Sequence, residues 1–149
     1  MQIDPATASD IPALCNLLNQ LFEQEVEFSP DLVAQQRGLV MIIENPQIGA
    51  ILVARQDTQI IGMVNLLYTV STALGARVAL LEDMVIEKNQ RGKGVGSRLL
   101  DAALEFAQQH GCRRITLLTD AVNTDAQRFY QRQGFSLSPM VPLRRTLPL

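Results

Sequence analysis

The sequence predicts an α/β fold, more closely α+β: a mixed, mostly antiparallel sheet with helices on both faces, in one domain spanning residues 1–149. Three observations carry this. Residues 49–55 and 59–69 are β-rich runs around Gln56-Asp57-Thr58, which reads as a hairpin. Residues 78–86 are apolar almost throughout, as expected of a strand buried on both faces. A Gly-rich turn, a helical pattern and a further strand at 114–119 follow, and a helix between two strands reads as a crossover joining parallel neighbours.

Taken in order, Ile3 opens a short strand ending near Ala6. Ser9 or Asp10 can cap the first helix, with Pro12 in its first turn, where a missing N–H costs little. Ile11, Leu14, Leu17, Leu18, Leu21 and Phe22 recur at helical spacing. The acidic end, Glu23, Glu25 and Glu27, reads first as a solvated face and second as an attraction for a cationic ligand. Pro30-Asp31 starts a second helix running to about Glu44, closed by Asn45-Pro46. Leu74-Gly75-Ala76 is a turn ahead of the central strand. Glu82-Asp83 interrupts that strand, and in a regular strand neighbouring side chains point to opposite faces, so the two carboxylates cannot share a pocket.

The periodic helical pattern after the turn runs 98–110 and stops at Gly111. It carries Val95, Leu99, Ala102, Ala103, Phe106 and Ala107 inward, with Arg98, Asp101, Glu105 and Gln108 in water. His110, the lone histidine, reads as favourable charge at a helix end. Residues 120–123 lead into a helix at 124–132 with Gly134 as its stop, and 135–137 and 143–147 are the last strand candidates.

Composition narrows the function classes. At 47% hydrophobic and 19% charged residues the chain reads as globular rather than disordered. A formal charge of −2 offers no basic surface for nucleic acid. No apolar run reaches the roughly 18 residues that span a bilayer, and Met1-Gln2-Ile3-Asp4-Pro5 lacks a basic-then-apolar secretory pattern, so a cytoplasmic protein without a membrane partner is expected. Cys15 and Cys112, on helical or helix-end positions, have no metal-ligand spacing, and no metal is implied.

The chemistry concentrates in Gln90-Arg91-Gly92-Lys93-Gly94-Val95-Gly96-Ser97. Three alternate glycines leave the backbone unshielded where a helix begins. The first N–H groups of a helix lack internal partners and carry the positive end of its dipole, so strand, Gly-rich turn and helix together suggest a phosphate cradle. Alone, such a loop also reads as a flexible connection. Two common phosphate motifs fail by spacing. No Lys-Ser or Lys-Thr follows the glycines, and the third glycine comes one residue early for a dinucleotide fingerprint.

Arg91-x-x-Gly94-x-Gly96, after a strand ending Met84-Val85-Ile86, resembles the coenzyme A pyrophosphate loop of the GNAT superfamily of N-acetyltransferases. Downstream, Asn123-x-x-Ala126-x-x-Phe129-Tyr130-x-x-x-Gly134-Phe135 resembles the same family's second cofactor-side motif. The resemblance covers nearly the whole chain, best over 80–135 and least over 26–47. It implies a V-shaped opening between the strands ending near Ile86 and Thr119, with acetyl-CoA as co-substrate. Backbone N–H groups near Met84, Val85 and Ile86 would hold the thioester and pantetheine, provided the strand splays or bulges. Amides of Arg91, Gly92, Lys93, Gly94, Val95, Gly96 and Ser97 would hold the diphosphate, with Lys93 or Arg98 beside it. Tyr130 would be the general acid on sulfur; taken apart from the motif it reads as an aromatic packed beside Phe129. Asn123 reads equally as a cofactor contact and as the cap of the next helix.

Leu81-Glu82-Asp83-Met84-Val85-Ile86 and the opening Pro5-Ala6-Thr7-Ala8-Ser9-Asp10 resemble the diamine (polyamine) acetyltransferase branch. That implies Glu82 as base, acting through water, with burial in the strand raising its pKa; a structural, paired Glu is the equal alternative. The expected function is N-acetylation of a primary amine of a small molecule, such as a diamine or polyamine. The runners-up are a protein or peptide N-acetyltransferase, a non-catalytic acyl-CoA-binding regulatory module, and, third, a nucleotide-binding domain. Dimerisation is common among similar proteins, so a homodimer is the expected assembly, although no residue here determines it.

Overall fold

The computed structural model describes residues 1–23 and 31–149. The sheet lies within the first of two units, Met1–Leu118 and Thr119–Leu149. Its strands are β1 (Gln2–Pro5), β2 (Gly49–Gln56), β3 (Gln59–Ser71), β4 (Ala76–Ile86) and β5 (Cys112–Leu117), side by side in chain order. The pairings from β1 through β4 are antiparallel, and β4 with β5 is parallel. This is the mixed, mostly antiparallel sheet expected. The helices are α1 (Ile11–Phe22), α2 (Leu32–Ile43), α3 (Val95–Gln109) and, in the second unit, α4 (Thr124–Arg132).

Local chemistry accounts for the joints. Gln56 pairs with Gln59, so β2 and β3 are linked through Asp57-Thr58, and Asp57 takes the left-handed conformation (φ +57°) that Asp tolerates better than most residues. Before α1 the chain makes a 3₁₀ turn, Ala8–Asp10. Of the two expected caps, Asp10 is the N-cap residue of α1, but its side chain makes no capping bond to that helix. Thr7 N–H donates back to Asp10 Oδ2 at 2.8 Å, leaving the Asp10 carboxylate to receive Arg55 through two further bonds of 3.0 and 2.6 Å. Arg55 Nε also donates to Asp4 at 2.9 Å, so one guanidinium ties together β1, the turn and β2. α2 begins as expected, with the Asp31 carboxylate accepting from Ala34 N–H.

The core has two faces. Leu14, Leu17 and Leu18 of α1 and Leu39 of α2 pack with Ile51, Val53, Met63 and Val85. On Gly62, the strand neighbour of Met63 and therefore facing the opposite way, an added Cβ would sit 3.4 Å from Leu99 of α3 and 2.9 Å from Ile86 Cδ1. α1 and α2 thus cover one face and α3 the other. Val95, Leu99, Leu100, Ala103 and Ala107 of α3 are buried, and Arg98, Asp101, Glu105 and Gln108 are exposed; of the expected inward stripe Ala102 and Phe106 are only half-buried, and Leu100 joins it. Each such leucine contributes about 2 kcal/mol of burial.

Two expectations need correction. Cys112 opens β5 rather than ending a helix, though both cysteines are free. Residues 135–137 and 143–147 form no strand: Leu137, Leu143 and Leu147 are 74, 95 and 75% exposed. An apolar β-type pattern marks a segment able to pair but does not supply its ladder partner, and within Thr119–Leu149 none is present. Glu25 and Glu27 lie outside the described residues, and Glu23 pairs with Lys88 at 3.6 Å with both side chains largely in water.

Candidate functional site

β4 departs from regularity where its two carboxylates stand. On β3, Met63 faces Val85 and Asn65 faces Glu82, so two steps of one strand oppose three of the other and β4 carries an extra residue. Asp83, inside this bulge, has φ +53°. The alternation expected of Glu82 and Asp83 holds only for a regular strand and does not apply across a bulge. Pairing of β4 with β5 reaches only to Leu81 opposite Leu117; residues 82–86 run on without a β5 partner. The strand therefore bulges, and its end runs on past the last residue of β5.

The backbone at the end of β4 has a definite direction. Glu87 N–H donates to Ile61 O on β3 at 2.8 Å. In an antiparallel ladder the sides alternate, so the N–H and C=O of Ile86 point away from β3, toward the side β5 has left. Arg91 Nε takes that carbonyl at 3.0 Å, fastening the Gly-rich loop to the strand end. Val85 N–H, by the same alternation, faces β3, and its side chain is in the core. Of the three residues expected to offer amides, Ile86 has its N–H on the open side, Val85 does not, and Met84 lies at the bulge.

The loop is built for exposure. A 3₁₀ turn, Lys88–Gln90, leads to Arg91, then Gly92 and Gly94 take φ of +77° and +81°, and Gly94 is the N-cap of α3. A Cβ at either glycine would meet nothing within 4 Å, so the loop is open and its need for glycine is conformational. Arg98 N–H donates to Gly94 O, the first bond of the helix, and the amides of Val95 and Gly96 precede it, aimed out of the helix end. Lys93 and Arg98 are exposed, and Ser97 is half-buried in the first turn. An open run of left-handed glycine leading into outward-facing amides fits a diphosphate.

Glu82 is exposed, so the expected burial of this carboxylate is corrected. In the second unit, Asn123 Oδ1 accepts from Ala126 N–H at 3.1 Å, the capping role. Tyr130 meets the edges of Phe129 and Phe135 at ring separations of 5.2 and 5.8 Å, and Phe135 N–H returns to Tyr130 O at 3.0 Å beyond the left-handed Gly134. Burial pushes the Tyr130 phenol upward, so it holds its proton at neutral pH. His110 closes α3 as expected, its Nδ1 within 2.8 Å of Phe106 O.

The sequence reading missed Asn65. It is 3% exposed, and its Nδ2 donates to Asp83 Oδ2 at 2.7 Å. The available signal was one amide inside the otherwise apolar Ile60-Ile61-Gly62-Met63-Val64-Asn65-Leu66-Leu67. Among the described residues no group of three or more His, Cys, Asp or Glu side chains is placed to hold a metal, and no helix is long and apolar enough to cross a membrane.

The model of a family described as acetyltransferase (GNAT) matches residues 11–135. The chain is 33% identical over 135 residues to the uncharacterized N-acetyltransferase YhfO of Bacillus subtilis (strain 168), covering 91% of this chain and 89% of that protein. It is 27% identical over 133 residues to the aminoalkylphosphonate N-acetyltransferase of Salmonella typhimurium, covering 89% and 83%. It is also similar to the crystal structure of a transcriptional regulator from Bacillus halodurans C-125, with a TM-score of 0.82, 27% identity, and 98% and 99% of the two chains covered.

Proposed function

The chain belongs to the acetyltransferase (GNAT) family, and on that footing we propose that it moves the acetyl group of acetyl-CoA to a primary amine of a small molecule. The observation that carries the reading is the end of β4 left without a β5 partner, with Ile86 N–H on its open side, fastened through Arg91 to a left-handed glycine loop. Acetyl-CoA supplies the activated thioester. The amides of Gly92, Lys93, Gly94, Val95, Gly96 and Ser97 take the diphosphate charge at the helix end, with Lys93 nearby as a counter-charge. Ile86 N–H and the bulged Met84 backbone hold the extended arm along the strand.

Glu82, exposed just beyond the last β4–β5 pair, takes the proton of the acceptor ammonium through water. Tyr130 donates to the departing sulfur. Burial holds its pKa above the ordinary phenol value, so it keeps its proton at neutral pH and meets the sulfur as a donor. Tyr130 then works mainly through a hydrogen bond that strengthens as charge builds on sulfur. Asn123 contributes by capping α4 and so fixing the helix that carries Tyr130.

Within amines, the finer reading is a diamine or polyamine, supported by the likeness around Glu82 and by the exposure of that carboxylate, which attracts a cation. The salmonella relative's name adds aminoalkylphosphonates as a second class of small primary amine. Two free cysteines fit a reducing compartment, the cytoplasm, and a homodimer belongs to the same reading. A second reading, a non-catalytic acyl-CoA-binding regulator, is favoured by the name of the Bacillus halodurans neighbour.

Thiol release from acetyl-CoA, measured against a panel of diamines, polyamines, aminoalkylphosphonates and amino-terminal peptides, separates these. Release with a small amine and little with peptides is expected. Binding of coenzyme A without release by any amine favours the regulator, and fastest release with peptides moves the acceptor to protein.

A further inference from the structure

Asp83 holds a left-handed backbone (φ +53°) in the bulge of β4, a position where glycine is the unstrained choice. What Asp supplies and glycine lacks is a carboxylate, and that carboxylate accepts from Asn65 Nδ2 at 2.7 Å. The donor is 3% exposed on β3, directly opposite Glu82. A hydrogen bond from a buried amide to a carboxylate is charge-assisted and strengthened by low dielectric. At its other end Asn65 is ill served: its Oδ1 is buried with no partner among the described residues. Its strand neighbours Val64 and Leu66 are buried without such a penalty. Stability alone therefore does not account for an amide at this position.

We infer that Asn65 and Asp83 form a staple fixing the bulge of β4, and that Asn65 is a positioning residue for the strand on which the coenzyme is held, touching neither substrate. The inference rests on the acetyl-CoA reading above. Its physical basis is register. The extra residue of β4 lies between Glu82 and Val85, and the staple grips it immediately after the last β4–β5 pair at Leu81. Without the extra residue the end of β4 returns to regular pairing by slipping one position. A one-residue slip exchanges the two sides of a strand, so Ile86 N–H would turn toward β3 and Val85 would leave the core. The staple thus decides whether an amide faces the open side at all.

The test is titration calorimetry of the full chain with coenzyme A, joined to amide hydrogen exchange at Ile86 in the ligand-free protein. Asn65→Leu and Asp83→Gly should each weaken coenzyme A by at least about tenfold at a temperature where circular dichroism shows them folded. Both should slow exchange at Ile86. In turnover, KM for acetyl-CoA should rise far more than kcat falls. Asp83→Asn, whose amide oxygen accepts the same bond, should stay within about threefold of the parent chain. Unchanged affinity and exchange in Asn65→Leu overturn the staple. If that variant does not fold, Asp83→Gly decides by the same two readouts. A parent chain that takes up no coenzyme A overturns the acetyl-CoA reading itself, a result distinct from a parent that binds and variants that bind equally well.

Discussion

The two residues proposed for proton work stand in opposite settings, Tyr130 packed among aromatic edges and Glu82 in water. Removing the phenolic oxygen in Tyr130→Phe, or the charge in Glu82→Gln, should lower kcat by about 10²-fold, the ordinary worth of a positioned acid or base. Steady-state kinetics with a matching coenzyme A titration checks this: affinity should hold while turnover falls, and wild-type turnover in either variant would remove that residue from the mechanism. Asp10 belongs to stability. The Arg55 side chain beside it holds its carboxyl below the usual range, against a smaller opposing effect of burial. A depressed folded-state pKa stabilises above the unfolded value and loses that contribution as pH falls through the folded one. Asp10→Asn should therefore cost about 2 kcal/mol at neutral pH. By urea denaturation the gap from the parent should stay level down to about pH 4 and narrow below it; a gap that widens in acid would contradict the assignment.

The glycine loop and α3 act together. Gly94 has open space around its Cβ position, so its φ of +81° is the main obstacle to substitution. Gly94→Ala should destabilise by about 1 kcal/mol from backbone strain. Gly94→Glu adds a like charge at the position proposed for the diphosphate and should abolish measurable coenzyme A binding; calorimetry showing unchanged affinity would take the loop out of the proposed site. At β2 the reason for glycine differs, because a Cβ on Gly49 would lie 2.1 Å from Leu66 O. There backbone meets backbone, the strands must part, and the loss belongs to the sheet rather than to the loop.

For the chain as a whole, a ligand that binds only the folded state must raise the melting temperature. Coenzyme A at about 100 times its dissociation constant adds about 2.7 kcal/mol, or about 5–10 °C for a domain of this size. Differential scanning calorimetry showing no rise at any concentration would exclude the coenzyme as a ligand. The fold class was readable because each element of the sheet carries its own periodicity: the hairpin around Asp57-Thr58, the apolar β4, the striped α3. The glycine loop was readable because its requirement is conformational and therefore local. The apolar pattern at 135–147 was misleading because pairing needs a partner that no pattern names.

The order of residues along the chain determined the helices, the first five strands, the conformation of the glycine loop and the two family motifs, since each depends on neighbours a few positions apart. Whether Glu82 is wet, which side Ile86 N–H faces, and that Arg55 joins Asp4 to Asp10 came from folding. So did the hold of Asn65 on Asp83. Those facts depend on one-residue differences in register between segments distant in sequence, and local periodicity does not encode where a ladder bulges.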